Sequence, residues 1–259
     1  MFRAKNFVRY WLTAKGRHGT HSPFAYALIE EVINLKKLYY AFDAIEDERM
    51  RLLGSAERID VTDLGAGSKR IKGKLRAVAD IASTAVKQPK YAQVLFRLVQ
   101  HLHYRDVLEL GGSLGITTAY LAAAAERVTS IEGCGEHIRL AGEVHRRLQL
   151  SNKITLINDA FDRALDHPDE GEKNTTYDLI FIDGDHRGEA LLRYVERLLP
   201  RLNPKGCLVI DDINWSADMR AAWETLRTDP RFEVSVDLFE MGLLFLPRGI
   251  EPQHFVLRC

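Results

Sequence analysis

The chain has 259 residues, enough to bury a large core, and its 46% hydrophobic and 28% charged residues exclude disordered and collagen-like classes. Formal charge is zero but unevenly spread: 19 Lys/Arg stand against 10 Asp/Glu through Arg105, and 17 against 26 afterwards. Two halves attracting each other across a cleft explain this as well as a basic arm meeting an acidic partner. No uncharged apolar run approaches the roughly 20 residues needed to cross a bilayer, and no secretory h-region follows the basic start. Cys134, Cys207 and Cys259 are far apart and lack a Cys-x-x-Cys spacing. A cytoplasmic protein with reduced thiols and no membrane partner is expected.

Near the start, His18 and His21 precede Ser22-Pro23, a good helix opening because Ser caps orphan amides and Pro tolerates the first helical position. The spacing predicts a helix over 24–35, and the two histidines form either a capped turn or part of a lid. Val61-Thr62-Asp63-Leu64-Gly65-Ala66-Gly67-Ser68 looks like a nucleotide-binding turn, but no apolar strand ending in an acid follows at the right distance. It reads as a loop. The basic run Lys69 to Arg76 is a solvated loop by default, and it lacks the interleaved aromatic residues of a single-strand binder, so nucleic acid is not the expected partner. Apolar spacing at Leu95, Leu98, Val99 and Leu102 predicts a helix over 91–103. Residues 1–104 are read as a helical cap.

From residue 105 the pattern changes to short apolar runs alternating with amphipathic stretches, the mark of βαβ units. Strands are expected at 106–110, 128–131, 154–157, 179–182 and 207–210, with helices over 117–126, 136–148, 188–199 and 217–227. Continuous apolar runs suit parallel strands buried on both faces. Residues 232–239 and 242–246 read as a closing hairpin that brings in an antiparallel strand. The expected fold is α/β, doubly wound, with residues 105–259 as its domain.

Such folds bind adenosine ligands at the carboxyl ends of the strands, with a Gly-rich first turn and an acid after the second strand for the ribose hydroxyls. Gly111, Gly112 and Gly115 follow strand one, and Glu132 ends strand two, 21 residues after Gly111. A nicotinamide cofactor fits less well, since Gly-x-Gly-x-x-Gly is absent and Glu109 places a carboxylate where pyrophosphate belongs. A cationic sulfonium with a free amino group suits that carboxylate.

Strand four ends in Asp183-Gly184-Asp185-His186 and strand five in Asp211-Asp212. Four acids at one mouth repel unless a cation lies between them, and a hard divalent ion with oxygen ligands is one answer. Capping of the following helices by Asp185 or Asp212 is the other. Histidine is a residue type suited to proton abstraction from a hydroxyl, and His186 stands at this mouth. Trp215 either walls a substrate pocket or packs in the core.

The run Val107-Leu108-Glu109-Leu110-Gly111-Gly112-Ser113-Leu114-Gly115-Ile116-Thr117 resembles motif I of the catechol and caffeoyl-CoA type O-methyltransferases, a class I S-adenosylmethionine-dependent family, and the likeness extends over 106–246. The resemblance implies a Rossmann-like, mainly parallel seven-stranded sheet with a C-terminal antiparallel strand. It implies that Glu109, Gly111 and Thr117 line the methionine end, with Gly112, Ser113 and Gly115 in the turn. Glu132 with Gly133 would hold the ribose, Asp159 would lie near the adenine, and Asp183 would border the cofactor. In metal-dependent members an Asp after strand four and an Asp-Asn pair after strand five hold magnesium, and Asp183, Asp211 and Asp212 match those positions, with Asp212 departing from Asn. His186 stands where the catechol type has a Lys. The implied activity is metal-assisted methylation of a small-molecule hydroxyl by a chain that dimerises, as family members often do. RNA or protein methylation and a non-catalytic cofactor-binding module are the alternatives. The lack of an Asn-Pro-Pro-Tyr-like signature after strand four favours oxygen chemistry.

Overall fold

The computed structural model describes residues 2–17, 22–62, 73–166 and 175–259. The sequence features at His18, His21, 63–68 and 69–72 lie outside these described residues. In chain order the elements are α1 (Phe2–Thr13), α2 (Pro23–Ala27), which continues as wider helical turns over Leu28–Ile33, α3 (Tyr40–Leu53), β1 (Arg58–Asp60), β2 (Leu75–Ala77), α4 (Val78–Thr84) and α5 (Pro89–His101). Then come β3 (Asp106–Leu110), α6 (Ile116–Ala124), β4 (Arg127–Glu132), α7 (Gly135–Arg147), β5 (Ile154–Asn158) and α8 (Phe161–Asp166). The chain continues through β6 (Tyr177–Ile182), α9 (Gly188–Leu198), β7 (Leu202–Asp211), α10 (Ala217–Leu226), β8 (Val234–Asp237), β9 (Met241–Phe245) and β10 (Gln253–Val256).

Two compact units form, Lys36–Glu170 and Met1–Leu35 with Gly171–Cys259. In this division α3 and α5, which pack on α6, share a unit with β3 to β5, and α1 packs with the C-terminal strands. The early region is not helical throughout, because β1 and β2 pair antiparallel, Arg58 opposite Ala77.

In the unit of residues 36–170, β3, β4 and β5 run parallel, with Glu109 opposite Ser130 and Glu132 opposite Asn158. This register brings the ends of β3 and β4 together, and the Gly111 N–H donates to the Ile131 carbonyl at 2.9 Å. α6 is apolar nearly all round and buries every residue from Ile116 to Ala122, as a helix enclosed on several sides must. Phe42 of α3, Phe96 of α5 and Tyr120 of α6 form an aromatic cluster with centroids 4.9 and 5.4 Å apart. Burying each ring contributes roughly 1.5–3 kcal/mol, so α3 and α5 are part of this unit's core.

The other unit arranges its strands in the order β10-β8-β9-β7-β6. β9 is antiparallel to β7 and to β8, while β6 is parallel to β7 and β10 to β8. The α/β, mainly parallel, Rossmann-like fold with an antiparallel closing strand therefore forms as expected. The two units hold eight such strands, three and five, where seven were expected, because β10 pairs beyond the closing hairpin. α1 is fastened here, with the Tyr10 hydroxyl donating to the Leu257 carbonyl at 2.6 Å and Arg3 paired to Glu240.

Candidate functional site

The bend after β3 is built around a buried carboxylate. Glu109 is fully buried, and its Oε2 accepts from the hydroxyls of Thr118 (2.5 Å) and Ser130 (2.7 Å), tying β3 to α6 and β4. Burial pushes its pKa up to about 7, against the pull of those two hydrogen bonds. Only Gly fits above it at residue 112, because a Cβ there would collide with the Ser130 hydroxyl and lie 3.3 Å from Glu109 Oε2. Ser113 follows with φ 46, in the left-handed region that side chains rarely adopt.

Gly115 closes the bend with φ 82 as the residue before α6. Its carbonyl accepts from His145 Nε2 at 2.9 Å. Burial holds the His145 pKa down to about 4, so the ring is neutral and must carry its proton on Nε2 to donate to a carbonyl. A Cβ on residue 115 would lie 2.6 Å from that nitrogen.

Glu132, at the tip of β4, is bound to the same bend. The Ser113 N–H donates to its Oε2 at 3.0 Å, and the Cys134 N–H to its Oε1 at 2.9 Å. His137, in the first turn of α7, places Nδ1 3.5 Å from Oε1. Burial raises the Glu132 pKa, but His137 and the two backbone N–H groups outweigh it and hold the carboxyl below its ordinary range. Glu109, Gly112, Ser113, Gly115 and Glu132 are therefore one connected assembly, with Thr117 buried beside it on α6. Gly133 follows Glu132 in the turn to α7. Asp159 has a more local engagement, since its Oδ1 accepts from the Ala160 N–H and from Arg163 Nε at the start of α8.

Three buried polar atoms of this assembly have no partner among the described residues, Glu109 Oε1, Ser113 Oγ and His137 Nε2, while His137 Nδ1 has only its 3.5 Å approach to Glu132. Buried polar atoms are normally satisfied, and each orphan costs about 1–3 kcal/mol. A polar ligand laid over the bend would meet them, which fits the hydroxyls and amino group of an adenosyl amino acid.

The second constellation belongs to the other unit. Asp183 follows β6, Asp211 ends β7 and is buried, and Asp212 follows it with φ 52. Asp212 Oδ2 lies 3.7 Å from His186 Nε2, and the His186 ring is 5.9 Å from that of Trp215. Helix capping does not account for these acids. The N–H of Gly188, the first residue of α9, donates to Asp218 Oδ2, and α10 is capped by Ser216. Asp185 is engaged differently again, accepting from Arg187 Nε and an Arg187 Nη (2.5 and 2.7 Å) and from the Tyr194 hydroxyl (3.1 Å). Among the described residues, no group of three or more His, Cys, Asp or Glu is arranged to hold a metal ion. The expected Asp183, Asp211, Asp212 set is therefore not gathered into a cation cage. Asp212 faces a histidine instead.

Sequence reasoning missed His137, His145 and the His186–Asp212 pair. His137 left a local signal, a histidine in the first turn of a helix just after a strand-end acid. His145 left none, because its partner is a carbonyl 30 residues earlier.

Residues 108–213 match a family model described as a methyltransferase domain. No curated protein matches the chain. Among solved structures, an O-methyltransferase from Bacillus cereus in complex with SAH is 18% identical, over 83% of this chain and 94% of that one, with a TM-score of 0.57. The O-methyltransferase TomG from Streptomyces achromogenes, involved in tomaymycin synthesis and solved with SAM, is 15% identical over 83% and 93%, TM-score 0.58. The SAH-bound methyltransferase PaMTH1 of Podospora anserina is 15% identical over 83% and 91%, TM-score 0.58. The matched segment begins within β3 and runs past the Asp211-Asp212 turn, so it contains Glu109, the glycine bend, Glu132, His186 and Asp212: residues 108–213 match a methyltransferase domain, and the chain shares the fold of these solved methyltransferases.

Proposed function

We propose that this protein transfers a methyl group from S-adenosylmethionine to a hydroxyl oxygen of a small molecule. The observation that carries the reading is the set of orphaned polar atoms at Glu109, Ser113 and His137 around the glycine bend. Glu132 keeps lone pairs beyond its two backbone donors, and these can accept from the ribose hydroxyls. The bound cofactor supplies an electrophilic methyl on a sulfonium sulfur. Glu109 lends a carboxylate near the positive end of that ligand, and ligand binding favours its ionised form.

The second constellation supplies the base. His186 takes the proton of the acceptor hydroxyl, and Asp212 at 3.7 Å steadies the imidazolium that forms. Deprotonation would leave an oxygen nucleophile for the methyl group that the cofactor would supply, its carbon–sulfur bonding pair staying with sulfur. Trp215 borders the His186 ring and suits a flat acceptor. No step passes through a metal ion, in keeping with the arrangement of Asp183, Asp211 and Asp212.

Calorimetry with S-adenosylhomocysteine tests the donor site: wild type binds and Glu132→Ala does not. An isotherm unchanged by that substitution refutes it. Transfer of labelled methyl to a panel of phenols, catechols and sugars tests the acceptor class. His186→Ala should slow turnover by about 10²–10⁴ while leaving homocysteine-ligand affinity intact, and turnover should persist in EDTA.

A further inference from the structure

α1 is fastened to its unit mainly by one side. Arg3 pairs with Glu240, the Asn6 amide donates to Asn214, Phe7 stands edge-on to Phe239 and Tyr10 reaches the Leu257 carbonyl. At about 100° per residue these four share one arc of the helix. Val8 and Leu12 lie on the opposite arc, with Trp11 on its flank under the Arg258 guanidinium at 5.9 Å, and the three are 57, 71 and 59% exposed; no residue of α1 is buried.

The charge of this segment is one-sided as well. Residues 2–29 carry Arg3, Lys5, Arg9, Lys15 and Arg17 and no Asp or Glu; the first acid is Glu30. Lys5 and Arg9 border the apolar row, and neither has a carboxylate partner among the described residues. Scattered exposed apolar side chains are ordinary, but a continuous Val-Trp-Leu row edged by cations on a docked helix is not. It is the composition of a helix lying flat at a lipid headgroup layer, with its apolar side at the acyl boundary and its cations among anionic headgroups.

We propose that α1 is a membrane-surface helix by which the protein docks on a bilayer bearing anionic lipids. Charge selects this occupant over a second copy of the chain, since pairing two such helices would set Lys5 and Arg9 against their own equivalents. The contact is peripheral, because no helix among the described residues is long and apolar enough to cross a membrane. The expectation of no membrane partner came from the lack of a spanning run, a criterion that a 12-residue one-sided helix escapes. The inference does not depend on the methyl-transfer reading.

The test uses the full chain and sedimentation with vesicles of phosphatidylcholine alone or mixed with phosphatidylserine. Binding should require the anionic lipid, fall with salt, and shift the tryptophan emission to the blue in wild type but not in Trp11→Phe. Leu12→Glu should abolish it. The double variant Lys5→Glu, Arg9→Glu should weaken it at least about 25-fold, from roughly fivefold for each cation near an anionic surface. Both substitutions lie on the exposed arc, and an unchanged melting temperature confirms that the fold is intact. Failure to sediment with anionic vesicles overturns the proposal, as does binding that the double variant leaves unchanged. A dimer in light scattering that Leu12→Glu disperses would assign the row to a second copy and overturn it too.

Discussion

Glu109→Gln isolates the effect of one buried proton on stability. Burial raises the Glu109 pKa from 4.5 to about 7, so between these values the native protein keeps a proton that the unfolded chain gives up. The stabilising contribution is complete below the unfolded value and is lost as pH rises through about 7. The gap corresponds to roughly 3 kcal/mol. His145 acts in the opposite sense: its pKa falls from 6.5 to about 4, so its contribution is present above the unfolded value and is lost as pH falls. Over the acidic window the two slopes oppose each other, and the wild-type profile alone conceals both. Subtracting the variant removes His145, which is common to both proteins. Urea unfolding of ligand-free wild type and Glu109→Gln at about pH 4.5 and at about pH 8 should show the variant gaining roughly 3 kcal/mol on wild type across the interval. A difference that stays constant within about 0.5 kcal/mol would refute the assignment of a protonated carboxyl beneath the bend.

Gly115→Ala forces a Cβ to within 2.6 Å of His145 Nε2 at φ 82, and should lower stability by about 1–3 kcal/mol; an unchanged melting temperature would contradict the described packing. His137→Ala leaves Glu132 with its two backbone donors alone, so S-adenosylhomocysteine should bind roughly tenfold more weakly in calorimetry, and equal affinity would remove His137 from the site. Tyr194→Phe deletes one of three hydrogen bonds to the buried Asp185 carboxylate and should cost about 0.5–1.5 kcal/mol. Arg187→Ala deletes the other two and should lower the melting temperature further. The reverse ranking would show that Asp185 does not depend on Arg187.

The parallel strands were the most legible part of the fold. β3 begins and ends where expected, Asp106 to Leu110, as an apolar strand covered on both faces whose one interior polar residue, Glu109, is buried with hydroxyl donors. β7 was read too short: it reaches back to Leu202, but Asn203, Pro204, Lys205 and Gly206, residues whose local chemistry signals a turn, bulge out of the pairing, which passes from Tyr177 opposite Leu202 to Leu179 opposite Cys207. β10 was missed because Gln253-His254-Phe255-Val256 is half exposed and mixed in polarity, so only pairing with β8 reveals it. At the site, the order of strand, glycine bend, strand and acid singled out both the bend and Glu132, but not the bond from the Ser113 N–H that joins them. The acids after β6 and β7 were recognised, but not their partners. The left-handed backbone of Asp212 and its 3.7 Å approach to His186 are features that composition does not encode.

The tie between Tyr10 and Leu257 spans 247 positions, and Lys15 pairs with Leu257 in the same place. During translation, the segment 2–17 therefore emerges long before its docking strands exist, and ring closure over that span must wait for the last stretch to leave the ribosome. Until then Tyr10, Phe7 and the outward row are all open to chaperones and proteases. Nascent chains halted before residue 237 should lose this segment to brief protease treatment, and completed chains should keep it.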